Sequence, residues 1–315
     1  MKKIIALSLV ISAAVVYSSC SKQKETGNNP AGAEVKTDNS SSKAAPAPAP
    51  AACATKYLDL VIDPATGGSF LYKIDNSPSN PPVTITNMNG SAGNNQIGSS
   101  NPLTTVFKMT GLSYDPATGI CYGITGNAGS HPNSLIRFNL ADPNVVGIAP
   151  LVSPGGAIDL SDIERNPWNG RYYAINRAVA GNNRLVIVDV TTGNVAFLPM
   201  TTGLPLRGLA MDPGGKIYLM RMTGTSGNVY VADPLTGGLI LGPCPYGVVI
   251  APGFFGPNAE MGLHFDDVCT NLLITGNFNG TSFRLTDALP ACLGGPVPPS
   301  IPVGIKPTVD FSRLN

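Results

Sequence analysis

One phrase recurs four times in this chain, at residues 111–124, 162–175, 208–220 and 262–275, roughly fifty residues apart. The first copy runs Gly111-Leu112-Ser113-Tyr114, then Asp115-Pro116-Ala117-Thr118-Gly119, then Ile120-Cys121-Tyr122. Each copy reads as a short apolar strand, a tight turn opened by Asp or Asn, and a second strand. Between the copies lie further strand pairs: 134–140 with 145–148, 184–190 with 194–198, and 228–232 with 238–241. Their β-branched content, and the Gly-containing turns of the last two, are strand and hairpin signals.

Two hairpins per repeat make a four-stranded unit, and a period of this length in an all-β chain predicts a β-propeller. Repeats begin near residues 107, 158, 204 and 258, and residues 57–62, 70–74 and 83–86 supply three strands ahead of them. Residues 308–311 can provide a fourth strand for that first unit, which would close the ring and remove its exposed edges. The count is five blades. Six is the competing count, because residues 87–108 are loosely patterned.

The N-terminus reads as an export signal over residues 1–19: Lys2 and Lys3, an apolar run over 4–16, then Tyr17-Ser18-Ser19-Cys20. Small residues directly before a Cys resemble a bacterial lipobox, and that resemblance implies lipidation of Cys20; Tyr17 stands where the pattern prefers an aliphatic residue. Residues 20–52 hold little to bury and include Ala45-Pro46-Ala47-Pro48-Ala49-Pro50, so they are expected to form a disordered, semi-stiff tether. Residues 53–315 form the propeller domain, long enough for one sizeable core.

Charged residues make up 12% of the chain and the formal net charge is +1, which excludes the clustered basic face of a nucleic-acid binder. An exported chain permits disulfides. Cys20 aside, five cysteines remain, so at least one stays free. Cys121 aligns with Tyr172 and Ile217 in the repeat and reads as a small buried hydrophobe. Cys53 and Cys292 flank the domain, and ring closure would bring its ends together, so a disulfide is expected between them.

The phrase Gly111-Leu112-x-x-Asp115-Pro116-x-Thr118-Gly119-x-x-Tyr122 resembles those of bacterial propeller domains of the NHL, YVTN and quinoprotein-like kind, and of exported lipoproteins that carry them. The resemblance covers residues 57–315 and implies a propeller; propellers host many unrelated functions. Trp168 is the only Trp, so the tryptophan docking motifs of quinone-cofactor enzymes are missing. No Gly-x-Ser-x-Gly elbow, P-loop or paired Cys-x-x-Cys occurs, and two His cannot build a His-rich metal centre. The sequence therefore assigns no catalytic residue, no metal ligands and no cofactor.

Strand parity places the short turns on one face of the disc. The longer, more varied loops at 126–133, 153–159, 177–183 and 245–260 then gather on the other, where specificity is expected. The predicted binding residues are Arg177, Arg207, Phe254 and Phe255 from these loops, Glu260 at the same rim, and Asp162, Glu164 and His264 nearer the axis. Two further readings of the axial acids remain open: mutual satisfaction around a water-filled channel, and a metal-assisted hydrolase resembling propeller lactonases. The leading expectation is a membrane-anchored envelope protein, placed in the outer membrane on its periplasmic or surface face. Its propeller would bind a glycan, small molecule or envelope protein; a purely structural envelope protein is the remaining alternative.

Overall fold

A computed structural model of the chain describes residues 56–62, 68–75, 84–87, 96–98, 107–223, 226–246, 261–266, 271–278, 281–285, 300–304 and 308–313. Cys20, Cys53, Phe254, Phe255, Glu260 and Cys292, together with the signal and tether of residues 1–52, lie outside the described residues.

Among the described residues there are strands and no α-helix. The first sheet contains β1 (Lys56–Ile62), β2 (Ser69–Asp75) and β3 (Thr84–Asn87). The second contains β4 (Met109–Asp115), β5 (Ile120–Thr125), β6 (Ser134–Asn139) and β7 (Asp142–Pro150). The third contains β8 (Leu160–Arg165), β9 (Tyr172–Asn176), β10 (Arg184–Val188) and β11 (Val195–Phe197). The fourth contains β12 (Gly208–Met211), β13 (Ile217–Thr223), β14 (Ser226–Ala232) and β15 (Leu239–Tyr246). The fifth contains β16 (Met261–Asp266), β17 (Asn271–Phe278), β18 (Thr281–Leu285) and β19 (Ser300–Gly304). The last strand, β20 (Thr308–Arg313), pairs antiparallel with β1 and makes the first sheet four-stranded like the others.

The strands β4, β8, β12, β16 and β20 touch one another in that order, and β20 touches β4 again. These five innermost strands form a closed ring, with each sheet radiating outward as a blade of a β-propeller. The chain's last strand is thus the inner strand of its first blade. β15 runs on to Tyr246, past the end at residue 241 read from the sequence, so it takes the start of the expected 245–260 loop into the sheet. Within the loosely patterned 87–108 segment, Gln96 bridges to Phe70, and the buried Ile97 and Phe107 pack with Leu58, Leu60 and Leu71.

The core lies between blades. Leu58, Leu60 and Leu71 of the first blade meet Phe107, Met109, Leu112, Cys121 and Ile136 of the second. Ile124 and Leu135 of the second meet Ile163, Tyr172, Ala174 and Val186 of the third. Tyr173, Ile175 and Leu185 of the third meet Leu209, Ile217, Leu219 and Tyr230 of the fourth. Successive β9 residues therefore face opposite neighbours, and all of Tyr172–Asn176 are buried. A strand covered on both faces reads as a continuous apolar run, which is why this one does not alternate apolar with polar.

The hairpin turns are built from the repeat's own side chains. Asp115 accepts from the Ala117 N–H (3.1 Å) and the Thr118 hydroxyl (3.1 Å), and its carbonyl accepts from the Gly119 N–H (2.9 Å). Asp189 does the same with Thr191, Thr192 and Gly193, and Asp233 with Leu235, Thr236 and Gly237. Each closing Gly has φ between 71° and 80°, the left-handed region in which a Cβ is penalised. Hydrogen bonds from Thr191 and Thr192 hold the Asp189 carboxyl down at about 2. In the third blade Asn166 takes the Asp position, accepting from the N–H groups of Trp168 and Asn169.

Cys121 is a free, buried thiol whose pKa is pushed far up by burial, as its place in the repeat predicts. Cys244, at the far end of β15, is disulfide-bonded.

Inner strands approach closely where the phrase opens with Gly. A Cβ on Gly111 would stand 2.6 Å from Asp162 Cα and 2.7 Å from Ile163 N, both backbone atoms. Gly111→Ala is expected to lower the unfolding free energy by about 2–3 kcal/mol in urea denaturation, the cost of overpacking against backbone. Gly147→Ala, where the nearest atom is 3.8 Å away, is expected to change it by less than about 0.5 kcal/mol.

Candidate functional site

Inner strands are tied to each other by side chains that reach across blades. The Thr110 hydroxyl donates to Leu160 O (2.8 Å), and Ser113 Oγ accepts from the Arg165 N–H (3.1 Å). Asp162 sits at a bulge in β8, with the register shifting between Ser161 and Ile163, and adopts φ 53°. Asp is one of the few residues that tolerate this left-handed geometry. Its carboxylate, in a residue only 2% exposed, accepts from the Leu209 N–H of β12 at 2.5 Å. Asp162 therefore links two inner strands at the level where the other copies of the phrase carry Gly.

Glu164 and His264 occupy the same position in their copies of the phrase as Ser113 and Ala210. His264 Nδ1 lies 3.9 Å from Glu164 Oε1, and both side chains are largely buried. The ring order places β12 between their strands. Ala210, at the same level of β12, presents only a methyl group, which leaves room for the longer side chains to meet near the axis. At 3.9 Å the contact becomes an ion pair only when the imidazole is protonated and the carboxylate ionised. The structure thus brings Glu164 to His264 and turns the Asp162 carboxylate to a backbone N–H. Among the described residues no group of three His, Cys, Asp or Glu is arranged to hold a metal.

Arg177 and Arg207 meet at the rim of the long-loop face. They line a cleft of about 330 Å³ together with Asp159, Ala180, Gly181, Asn183, Pro205 and Leu206. Three connections build it: the segments entering β8 and β12, and the β9–β10 loop. Asp159 and Arg207 stand immediately before their inner strands, at corresponding places in neighbouring blades.

The walls of this cleft are held by hydrogen bonds. The Arg177 N–H donates to Asp159 O (2.8 Å) and the Arg207 N–H to Met220 O (2.8 Å). Asp159 Oδ1 accepts from the Asn127 N–H (3.0 Å), which ties in the β5–β6 loop. Asn183 Nδ2 donates to Leu206 O (3.1 Å), and the Thr202 hydroxyl donates to Asn183 O (2.6 Å). The loop entering β12 is therefore stitched to the β9–β10 loop, and the cleft is formed before any ligand arrives. A preformed site saves the ordering cost that a mobile loop would bring to binding.

Of the residues predicted from the sequence, the structure joins Arg177 with Arg207 in one cleft and Glu164 with His264 at the axis. Asp159 was not predicted, although its place just before β8 matches that of Arg207 before β12, and this alignment was the signal that could have found it. The remaining lining residues come from loops whose folded path no local pattern reveals.

No protein-family model matches the chain, and no curated protein does. Among solved structures it is similar to TolB from Acinetobacter baumannii, at 13% identity and a TM-score of 0.43, over 82% of this chain and 54% of that one. It is also similar to the Dos1 propeller, at 13% identity and 0.34, over 69% of this chain and 51% of that one. A third is the PQQ-bound aldose sugar dehydrogenase from Streptomyces coelicolor, at 13% identity and 0.36, over 62% and 81%. The chain spans about half the length of the first two. Likenesses this distant bear on neither ligand nor activity.

The Asp162 contact makes a testable claim about stability in the absence of any ligand. Asp162→Ala is expected to cost about 2–4 kcal/mol, because it leaves a buried N–H unpaired and puts an unsuitable residue at positive φ. Asp162→Asn, which keeps an acceptor and tolerates that backbone, is expected to cost less than half as much in the same denaturation experiment.

Proposed function

We propose that this chain is an exported, lipid-anchored protein of the bacterial cell envelope, and that its propeller is a binding module for a small polar molecule or a short stretch of glycan. The observation that carries the reading is the cleft itself: two neighbouring blades contribute loops to one preformed hollow, with Arg177 and Arg207 on its walls. The volume falls at the low end of small-molecule sites, which span roughly 300–1,000 Å³. The anchor is inferred from Cys20 and its preceding signal, and the tether from residues 20–52, which would hold the propeller off an outer-membrane surface.

Ala180 is exposed on the cleft wall, and Ala180→Trp would fill the hollow without touching the core. In a thermal-shift screen of sugars and small metabolites, a true ligand at saturation is expected to raise the melting temperature by about 5–10 °C in the unaltered chain and leave Ala180→Trp unmoved. A screen in which no compound distinguishes the two proteins would remove the binding reading. For the anchor, Cys20→Ser is expected to move the protein from the membrane fraction to the soluble fraction of cells expressing the full chain; unchanged membrane association would overturn lipidation.

A further inference from the structure

We infer that the short-turn face of the propeller is a landing surface for a lipid bilayer, with Trp168 and Leu235 entering the headgroup region and the cleft turned away from the membrane. The inference rests on the proposed membrane anchor and adds the surface by which the folded body meets the membrane. Its first support comes from the repeat. Two residues after the Asp or Asn that opens each turn stand Ala117, Ala141, Thr191 and Gly214 in four of the described turns, all small or polar. In two others that tip position holds Trp168 and Leu235, each 67% exposed.

These two turns adjoin each other across the third and fourth blades. Asn169 Nδ2 donates to the Tyr173 hydroxyl (3.1 Å), and that hydroxyl donates to Pro234 O (3.1 Å). Met200, also exposed, donates its N–H to Thr236 O (2.8 Å) in the same turn as Leu235. Three large apolar side chains thus stand in water on backbone segments bonded to one another. Exposed hydrophobics scattered singly are ordinary, whereas a cluster marks an interaction surface.

The second support is the point at which the chain enters the body. In the other blades the second strand starts on the short-turn face, just after the turn that ends the inner strand, as β5 follows β4. In the first blade β20 is the inner strand and β1 takes the second place, with Tyr57 paired to Arg313. Lys56 therefore begins on the short-turn face, and the proposed tether and anchor join the body there. The tether sets the largest separation from the membrane, and within that reach the patch supplies the face on which the propeller settles.

Side-chain chemistry fits a lipid headgroup layer. Trp combines a large apolar body with an N–H donor and concentrates at membrane–water boundaries. Arg171 and Lys216 are exposed on either side of Trp168: Arg171 ends its turn, and Lys216 follows Gly215, whose Cβ would lie 2.9 Å from Trp168 Cβ. The nearby Asp212 and Asp233 are half-buried and bonded within their own turns. The outermost charges are thus cations, which anionic headgroups attract. A patch of three side chains adheres weakly and reversibly, so it works in combination with an anchor.

Trp168 is the only Trp, so fluorescence of the full chain reports this surface alone. The chain is mixed with vesicles of phosphatidylethanolamine and phosphatidylglycerol, and with the same lipids brominated on their acyl chains. Sedimentation reads attachment by any route, and Trp168 reads the face. The expected result is emission at shorter wavelength, quenching by brominated lipid and shielding from acrylamide. Leu235→Asp should lower the ratio of docked to undocked propeller by about tenfold or more. Ala178→Asp, exposed on the opposite face, should leave it unchanged. Melting curves check that both variants fold. Protein that sediments with vesicles while Trp168 stays as in solution overturns the inference and leaves the anchor standing. Sedimentation that Leu235→Asp alone abolishes would remove the anchor and keep the landing face. Protein that neither sediments nor shifts overturns both. A shift that grows with protein concentration in the absence of lipid means that a second copy covers the face, and it overturns the inference as well.

Discussion

The close approach of neighbouring inner strands at the axis is the constraint on which the rest of the structure depends. Blades are wedges: their inner strands nearly touch, and large buried side chains such as Tyr172, Tyr173 and Tyr230 fill the space between their middle strands. At the narrow end the backbone of β8 leaves no room for a Cβ on Gly111, and Leu263 stands 2.9 Å from where a Cβ on Gly208 would lie. Interiors pack at crystal-like density, so such positions cannot be widened cheaply. The recurring Gly that opens the phrase is the mark of this geometry.

Asp162 shows how a departure from the pattern is accommodated. At the bulge in β8 the chain turns to a left-handed backbone at Asp162, and the extra side chain becomes a strut to Leu209. Its neighbour Glu164 likewise breaks a run of small residues, and it meets His264 above Ala210. Both acids depart from the repeat, which is why the sequence singles them out. Inside the ring they serve contacts between strands that lie far apart in sequence. The polar rim is different in kind, because its arginines come from loops rather than from the inner strands.

Closure explains how so glycine-rich a chain can hold one shape. Among the described residues each apolar cluster belongs to two blades at once. The C-terminal strand takes the innermost place of the first blade, which ties the end of the chain to its beginning. The stitched loops over the third and fourth blades inherit their rigidity from this ring. A cleft built on them is fixed in shape even though its walls are loops.

The sequence by itself determined the all-β class, the four-stranded unit, the Asp-x-x-Thr-Gly turns and the face on which varied loops gather. These are local properties: a turn is written in the donors and acceptors of five consecutive residues, and Cys121 is buried because its strand is covered on both faces. The two arginines that line the cleft were legible for a related reason, since Arg177 and Arg207 interrupt the pattern next to strand ends. Only the tertiary structure decided that they face one hollow and that Asp159 shares it. The same holds for the strut from Asp162 and for the pairing of Glu164 with His264 across an intervening blade. Which blades are neighbours, and how near their rims come, depends on the radius of the closed ring. That radius is set by packing among all the blades together, and no single segment encodes it.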